Sequence, residues 1–287
     1  MKVGLIGLGV MGYRIAANLR KVNLLNFVYN RTYSKAEEFS KIYDVNISKS
    51  VEELAKNSDI ILTVLSDDDA VSDTIYKILP YAKGKTIIDL STISPTTSIN
   101  LANNVFLNGG LMFDAPMMGT SVDVEQKKVS IIVGGPKDHF EEVRNLLSNT
   151  AGKIIYAGNN GMGLYMKLAG NMIFASFING LAEAIHFAER AGISKDAITD
   201  LFLNISSTRS PASILKLSKM VNSNFDVQFA LKHMRKDTEI MIREGQKLKV
   251  PLPTTSLISN LLKIAEGLGF GELDVSSIIE LYRKGTP

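Results

Sequence analysis

Six residues near the N-terminus, Gly7-Leu8-Gly9-Val10-Met11-Gly12, restrict the fold of this chain more than any other stretch. They follow the β-branched run Val3–Ile6 and open a helical pattern over Met11–Arg20. Each glycine has its own task in such a turn. The first permits the tight bend, the second lets backbone approach a pyrophosphate, and the third lets the helix pack close on the strand. The helix N-terminus then presents unpaired N–H groups and a positive dipole end to the phosphates. Strand, loop and helix in that order predict the first βαβ unit of a dinucleotide-binding half.

The following residues continue the alternation. Strand runs are read at Phe27–Tyr29, Ile60–Leu65, Thr86–Leu90 and Ser130–Val133, with helical patterns at Ser34–Lys41, Ser50–Lys56, Asp68–Leu79 and Lys137–Leu147. Such alternation requires crossovers, and so a mainly parallel, doubly wound sheet with helices on both faces. The uninterrupted apolar run Ile60–Leu65 suits a strand buried on both sides. Near Gly158 the character changes. Leu164–Arg190 is apolar around most of its circumference, which predicts a buried central helix, and Gly192 can cap its end. Further helices are read at Lys195–Leu203, Ala212–Met220, Phe229–Lys249, Thr254–Glu266 and Val275–Arg283, with Pro251 and Pro253 as punctuation. The expected architecture is a Rossmann-type α/β domain over residues 1–160, then an all-α domain over 161–287.

The end of the second strand bears on which dinucleotide is held. An NAD site places Asp or Glu there for the ribose 2′-hydroxyl. This chain has Asn30-Arg31-Thr32. An arginine fork matches a 2′-phosphate, so NADP is expected ahead of NAD, the alternative being that Arg31 is a solvated loop charge.

Bulk properties exclude several classes. A net charge of +3, no long Lys/Arg block and 7% aromatics argue against nucleic acid as a partner. The absence of cysteine removes disulfides, thiolate metal sites and a cysteine nucleophile together, and suits a reducing cytoplasm. Four glycines break the apolar N-terminus, unlike a signal peptide. The apolar segment Met172–Ala182 is interrupted by Asn179 and reads as too short for a membrane span. His139, His186 and His233 lack metal-ligand spacing.

Lys167 and Asn171 lie four apart, on one face of the long helix. Around them Leu164, Leu168, Met172, Ile173 and Phe177 are apolar. A buried lysine is paired, neutralised or functional, whereas one exposed at a domain edge is merely solvated; spacing alone leaves the two readings level. Lys236 lies off the stripe Leu231, Met234, Thr238, Met241, Gly245 and reads as a solvated charge. Arg209, in Ser206-Ser207-Thr208-Arg209-Ser210, reads the same way, with reach to a substrate carboxylate as the alternative.

Several of these motifs, in this order, resemble the β-hydroxyacid dehydrogenase family, which includes 3-hydroxyisobutyrate dehydrogenase and semialdehyde and glyoxylate reductases. The glycine loop runs into Ala16-Ala17-Asn18-Leu19 as in the family's cofactor signature. Asp89-Leu90-Ser91-Thr92-Ile93-Ser94-Pro95 is similar to its nicotinamide loop, which implies a cofactor contact for Thr92; Leu65 is a further expected cofactor contact. Asp114-Ala115-Pro116 begins the segment that anchors a substrate carboxylate in relatives. Gly161-Met162-Gly163 with Lys167 and Asn171 matches the catalytic segment, and Lys236-Asp237 matches a pair near the cofactor.

The resemblance implies a hydride exchange between NADP(H) and a small anionic hydroxy acid, semialdehyde or 2-oxo acid. Lys167 would be the acid/base, tuned toward neutrality, and Asn171 would orient the substrate. The chain departs from the family's small-residue loop, having Met117-Met118-Gly119-Thr120, then Asp123 and Lys127. Met118, Gly119 and the Thr120 hydroxyl are the expected substrate contacts there. Relatives imply a homodimer or homotetramer. Imine reduction or serine-type amino-acid oxidation on the same scaffold, or a non-enzymatic cofactor-binding role, stand as the competing readings.

Overall fold

In the computed structural model, which describes residues 1–205 and 207–284, Cα packing divides the chain into two units, Met1–Lys167 and a second from Leu168 onward. This division falls within a helix, a few residues after the boundary expected at 160/161.

The first unit is a nine-stranded sheet flanked by helices. In chain order it contains β1 (Val3–Ile6), α1 (Val10–Lys21), β2 (Leu25–Tyr29), α2 (Tyr33–Tyr43), β3 (Asn46–Ile47), α3 (Val51–Asn57) and β4 (Ile60–Thr63). There follow α4 (Asp68–Ile78), β5 (Thr86–Asp89), α5 (Pro95–Leu107), β6 (Leu111–Asp114), β7 (Met117–Met118) and α6 (Ser121–Glu125). The unit continues with β8 (Ser130–Gly134), α7 (Phe140–Leu147), β9 (Lys153–Gly158) and the start of α8 (Met162–Arg190). The strand order is β3-β2-β1-β4-β5-β6-β8-β7, with β9 on β8. Neighbours from β3 to β6 are parallel, β8 runs antiparallel to β6 and β7, and β9 is parallel to β8.

The pleat explains the two helical layers. Leu5, Leu62 and Ile88 face one side, against Ile15 and Leu19 of α1, Phe39 of α2 and Val143 and Leu146 of α7. Ile6, Ile61 and Ile87 face the other, against Leu54 of α3, Val71 and Ile75 of α4 and Leu101 and Val105 of α5. Alternate side chains of one apolar run thus enter two cores. Each such side chain contributes about 1.5–3 kcal/mol by burial.

Several elements were not apparent from periodicity. β3 and β7 have two residues each, too short to show alternation. β6 and β9 also lie outside the runs read from the sequence, as do α5, started by Ser94-Pro95, and the five-residue α6. β4 ends at Thr63, so Leu65 lies in the loop beyond it rather than in the strand. α4 stops at Ile78, before a short 3₁₀ turn containing Pro80.

The second unit holds the remainder of α8 with α9 (Lys195–Asn204), α10 (Pro211–Val221), α11 (Leu231–Lys247), α12 (Pro253–Ala265) and α13 (Ile279–Lys284). Its core joins Ile178, Ala182 and Ile185 of α8 to Ile198, Leu217, Met220, Leu231, Met234, Ile258, Leu262 and Ile279. A buried ion pair staples it. Lys216 Nζ lies 2.8 Å from Asp274 Oδ2, which also accepts from the Gln228 and Phe229 N–H groups. Burial holds the Lys216 pKa below its ordinary value.

Two expectations about α8 are corrected here. It is not buried all round: Ile173, Phe177 and Phe187 are exposed, because the core takes up a stripe of the helix and not its circumference. Nor is it too short to cross a bilayer, since its 29 residues reach a mean hydropathy of 1.3 over an 18-residue window. Its buried stripe is that of a core helix.

Candidate active site

Strand register places most of the predicted site at one end of the sheet. Ile6 pairs with Tyr29 and Thr63, Thr63 with Asp89, and Asp89 with Asp114. The residues that follow each strand therefore emerge side by side: Gly7–Gly12 after β1, Asn30–Thr32 after β2, Leu65 after β4 and Thr92 after β5. Strand order reverses between β1 and β4, and ligands of open parallel sheets sit outside the carboxyl ends at such a switch point. Buried polar groups brace this edge. Thr63 Oγ1 donates to Asp89 Oδ1 at 2.7 Å, the Ser91 N–H donates to the same oxygen at 3.1 Å, and the Leu65 N–H donates to Ser91 Oγ at 2.8 Å.

The glycine loop passes a direct test of fit to a pyrophosphate. Gly7 has φ +101°, and a Cβ there would meet the Val64 carbonyl oxygen at 2.2 Å. A Cβ on Gly12 would lie 2.0 Å from the Gly7 carbonyl oxygen. Gly9 is different: a Cβ there meets nothing within 4 Å. Two of the glycines are thus needed by the protein's own packing, while the middle one faces open space of the kind a phosphate would enter. Leu8 is buried; Gly9 and Val10 are exposed, and Met11 is half-buried.

Asn30 holds this loop in place. Its Oδ1 accepts from the Leu8 N–H at 2.9 Å and its Nδ2 donates to the Thr32 carbonyl at 2.9 Å. The side chain ties the first and second strand ends together, a role that spacing alone did not reveal. Arg31 and Thr32 are exposed beside it, and no carboxylate stands in Asn30-Arg31-Thr32.

The departing loop has a defined shape. Met118 pairs with Ser130 across β7 and β8 and is half-exposed. Gly119 has φ +141°, which disfavours any side chain. The Thr120 hydroxyl donates to Asp123 Oδ2 at 2.7 Å, and the Thr120 N–H donates to the same oxygen at 2.6 Å. The two residues form a capping box on α6. The hydroxyl expected to contact the substrate is engaged by the chain's own carboxylate.

Asp114 is fully buried and turned inward. Its Oδ1 accepts from the Gly161 N–H at 2.6 Å and its Oδ2 from the Leu164 N–H at 3.0 Å. Burial raises its pKa to about 6, against these two backbone hydrogen bonds, which lower it. Lys167 follows Leu164 on the same helix and is 8% exposed, so the solvated reading does not describe it.

In the second unit Asn171 is 4% exposed, and its Nδ2 donates to Asp237 Oδ2 at 2.7 Å. Lys236 Nζ lies 3.6 Å from Asp237 Oδ1 and is half-buried rather than freely solvated. Asp237, noted in sequence only as half of a pair, fixes which end of the Asn171 carboxamide faces it. Arg209 is exposed; Ser206, in the same polar run, lies outside the described residues. Among the described residues no cluster of three or more His, Cys, Asp or Glu could hold a metal.

Comparison with known proteins covers nearly the whole chain. Residues 2–158 match the family described as the NAD binding domain of 6-phosphogluconate dehydrogenase, and residues 161–282 match that described as NAD-binding of NADP-dependent 3-hydroxyisobutyrate dehydrogenase. The chain is 30% identical to glyoxylate/succinic semialdehyde reductase 1 of Arabidopsis thaliana, over 99% of both chains. It is 29% identical to 2-hydroxy-3-oxopropionate reductase of Escherichia coli, over 98% of this chain and 96% of that one. A solved structure of Mycobacterium tuberculosis 3-hydroxyisobutyrate dehydrogenase with L-serine has the same fold, with a TM-score of 0.89 at 24% identity, covering 98% of this chain and 99% of that chain.

Proposed function

The chain belongs to the β-hydroxyacid dehydrogenase family, and from that premise we propose that it is an NADP(H)-dependent enzyme of small hydroxy acids or semialdehydes in which Lys167 moves the proton. That it is an NAD(P)-dependent oxidoreductase of CH–OH groups follows from the family. The observation that carries the finer reading is the burial of Lys167 in the second turn of α8, where a purely solvated role is excluded.

The glycine loop fits the cofactor: Gly9 would lie against the pyrophosphate, the α1 N-terminus would offset its charge, and Arg31 would meet a 2′-phosphate. Leu65, Thr92 and Lys236 are the remaining cofactor contacts in this reading. Bound there, the nicotinamide supplies or accepts hydride. Lys167 Nζ gives a proton to the substrate oxygen in reduction and removes it in oxidation. Asn171, oriented by Asp237, hydrogen-bonds the substrate and sets its angle. Met118 narrows the substrate pocket, and Gly119 offers backbone rather than side chain.

The substrate is then a small anionic hydroxy acid, semialdehyde or 2-oxo acid, and the enzyme a cytoplasmic homodimer or homotetramer. The exposed Ile173, Phe177 and Phe187 supply apolar surface of the kind subunits cover, and light scattering checks the assembly. Lys167→Ala tests the catalytic role. It should lower kcat at least about a hundredfold, with NADPH affinity and thermal midpoint near wild type. Lys167→Arg should not restore turnover, because a guanidinium keeps its proton. A folded Lys167→Ala enzyme that binds NADPH and turns over near the normal rate refutes the assignment.

A further inference from the structure

A second carboxylate bears on the same reaction without being placed to touch it. Asp114 ends β6, yet its oxygens reach Gly161, immediately before α8, and Leu164 in its first turn, 47 and 50 residues further along the chain. They accept the Gly161 and Leu164 N–H groups, which belong to the run of orphan donors at a helix start. Nearby helices take their caps from an adjacent residue, as Ser50 does for α3 and Asp67 for α4. At α8 the partner comes from the sheet.

The surroundings leave room for this side chain. A Cβ on Gly134 would come within 2.7 Å of Asp114 Oδ1, and one on Gly163 within 2.8 Å of Oδ2. Asn160 adds a second tie to the same strand, its Nδ2 donating to the Met112 carbonyl at 2.6 Å. The start of α8 and the two residues before it are thus fastened to β6 through Asn160, Gly161 and Leu164.

We propose that Asp114 is a positioning residue, whose carboxylate clamps the first turn of α8 and so fixes where Lys167 stands. This rests on the acid/base reading of Lys167. Lys167 lies three residues beyond Leu164, so a turn that slips or frays displaces its Cα directly. Misplacement of about 1 Å can cost on the order of a hundredfold in rate.

The clamp is sensitive to pH. Burial holds the carboxyl at about 6, with Asp89 on β5 as the carboxylate that raises it further. The other elements packed around it add little charge: β8 and Asn159-Asn160 carry no titratable side chain, and α8 contributes Tyr165 and Lys167. Below about pH 6 one oxygen gains a proton. That oxygen then turns a donor toward a backbone donor, and one of the two hydrogen bonds is lost.

The test pairs hydrogen exchange with kinetics on the whole chain. Exchange of a peptide covering residues 158–168, normalised for intrinsic rate, should be slow at pH 7.5 and faster at pH 5 in the wild type. In Asp114→Asn it should be fast at both. The variant should lose about ten- to a hundredfold in kcat with NADPH affinity unchanged, and its kcat should lack the wild type's acid limb near pH 6. Equal exchange in the two proteins at pH 7.5, or an acid limb that survives the substitution, overturns the proposal. If Asp114→Asn does not fold, the wild-type exchange comparison across pH decides alone, and a pH-independent rate overturns the clamp. The acid/base reading fails separately, through an active Lys167→Ala enzyme, and the exchange result then still stands or falls by itself.

Discussion

Replacing Gly9 and Gly12 in turn by alanine should separate cofactor binding from stability. Gly9 has φ −71° and ψ −172°, a conformation open to alanine, and an added methyl touches no protein atom within 4 Å. Gly9→Ala should therefore fold as well as wild type, or be more stable by about 0.4–1 kcal/mol through the stiffer unfolded chain. The methyl would instead occupy the space assigned to pyrophosphate. Overpacking costs about 1–3 kcal/mol, which at about 1.4 kcal/mol per tenfold weakens NADPH binding by about 5- to 150-fold. Gly12→Ala sets its methyl 2.0 Å from the Gly7 carbonyl oxygen and 3.2 Å from Val64 Cβ, so backbone must move. The same range of about 1–3 kcal/mol then appears as lost stability, with a midpoint about 2–12 °C lower for a unit of this size. Thermal melts without cofactor and NADPH fluorescence titrations measure the two quantities. A Gly9→Ala protein with wild-type affinity would refute the assignment of that space to the phosphates. An unaltered midpoint in Gly12→Ala would refute the packing argument.

Arg31→Ala should lower kcat/KM for NADP(H) while leaving NAD(H) nearly unchanged; an unaltered ratio, or a wild type that prefers NAD(H), removes the 2′-phosphate role. Met118→Ser should reorder activities across a panel of small aldehydes, 2-oxo acids and hydroxy acids, and an identical ranking places Met118 outside the pocket. Asp114 also predicts a pH dependence of stability. Its folded pKa of about 6 exceeds the ordinary 3.8, so the native state holds this proton more tightly than the unfolded chain. Against global unfolding, which exposes the carboxyl to water, its contribution is complete below about pH 3.8 and lost as pH rises through about 6; local fraying at α8 leaves the carboxyl buried and follows the two hydrogen bonds instead. Two pKa units correspond to about 3 kcal/mol. Wild-type stability minus that of Asp114→Asn, from urea unfolding, should fall by up to that amount between pH 4 and pH 7, and a flat difference contradicts it.

The sequence by itself determined the parts of this protein that local chemistry encodes. The βαβ order, the glycine loop and the two-sided burial of Ile60–Leu62 are legible because a strand's pleat and a helix's turn repeat within a few residues. So is the apolar stripe of α11, whose Leu231, Met234, Thr238, Met241 and Gly245 are all buried. Short elements such as β3 and β7 give no period to read. The candidate site could be proposed from the sequence as a set of positions, but the contacts of several of its side chains could not. Asn30 tethers Leu8, Asp237 orients Asn171, and Asp114 reaches the start of α8. Only the tertiary structure decides these. A hydrogen bond between residues 22, 50 or 66 apart exists only after strands have taken their register and helices their packing, and carries no periodic trace in the chain.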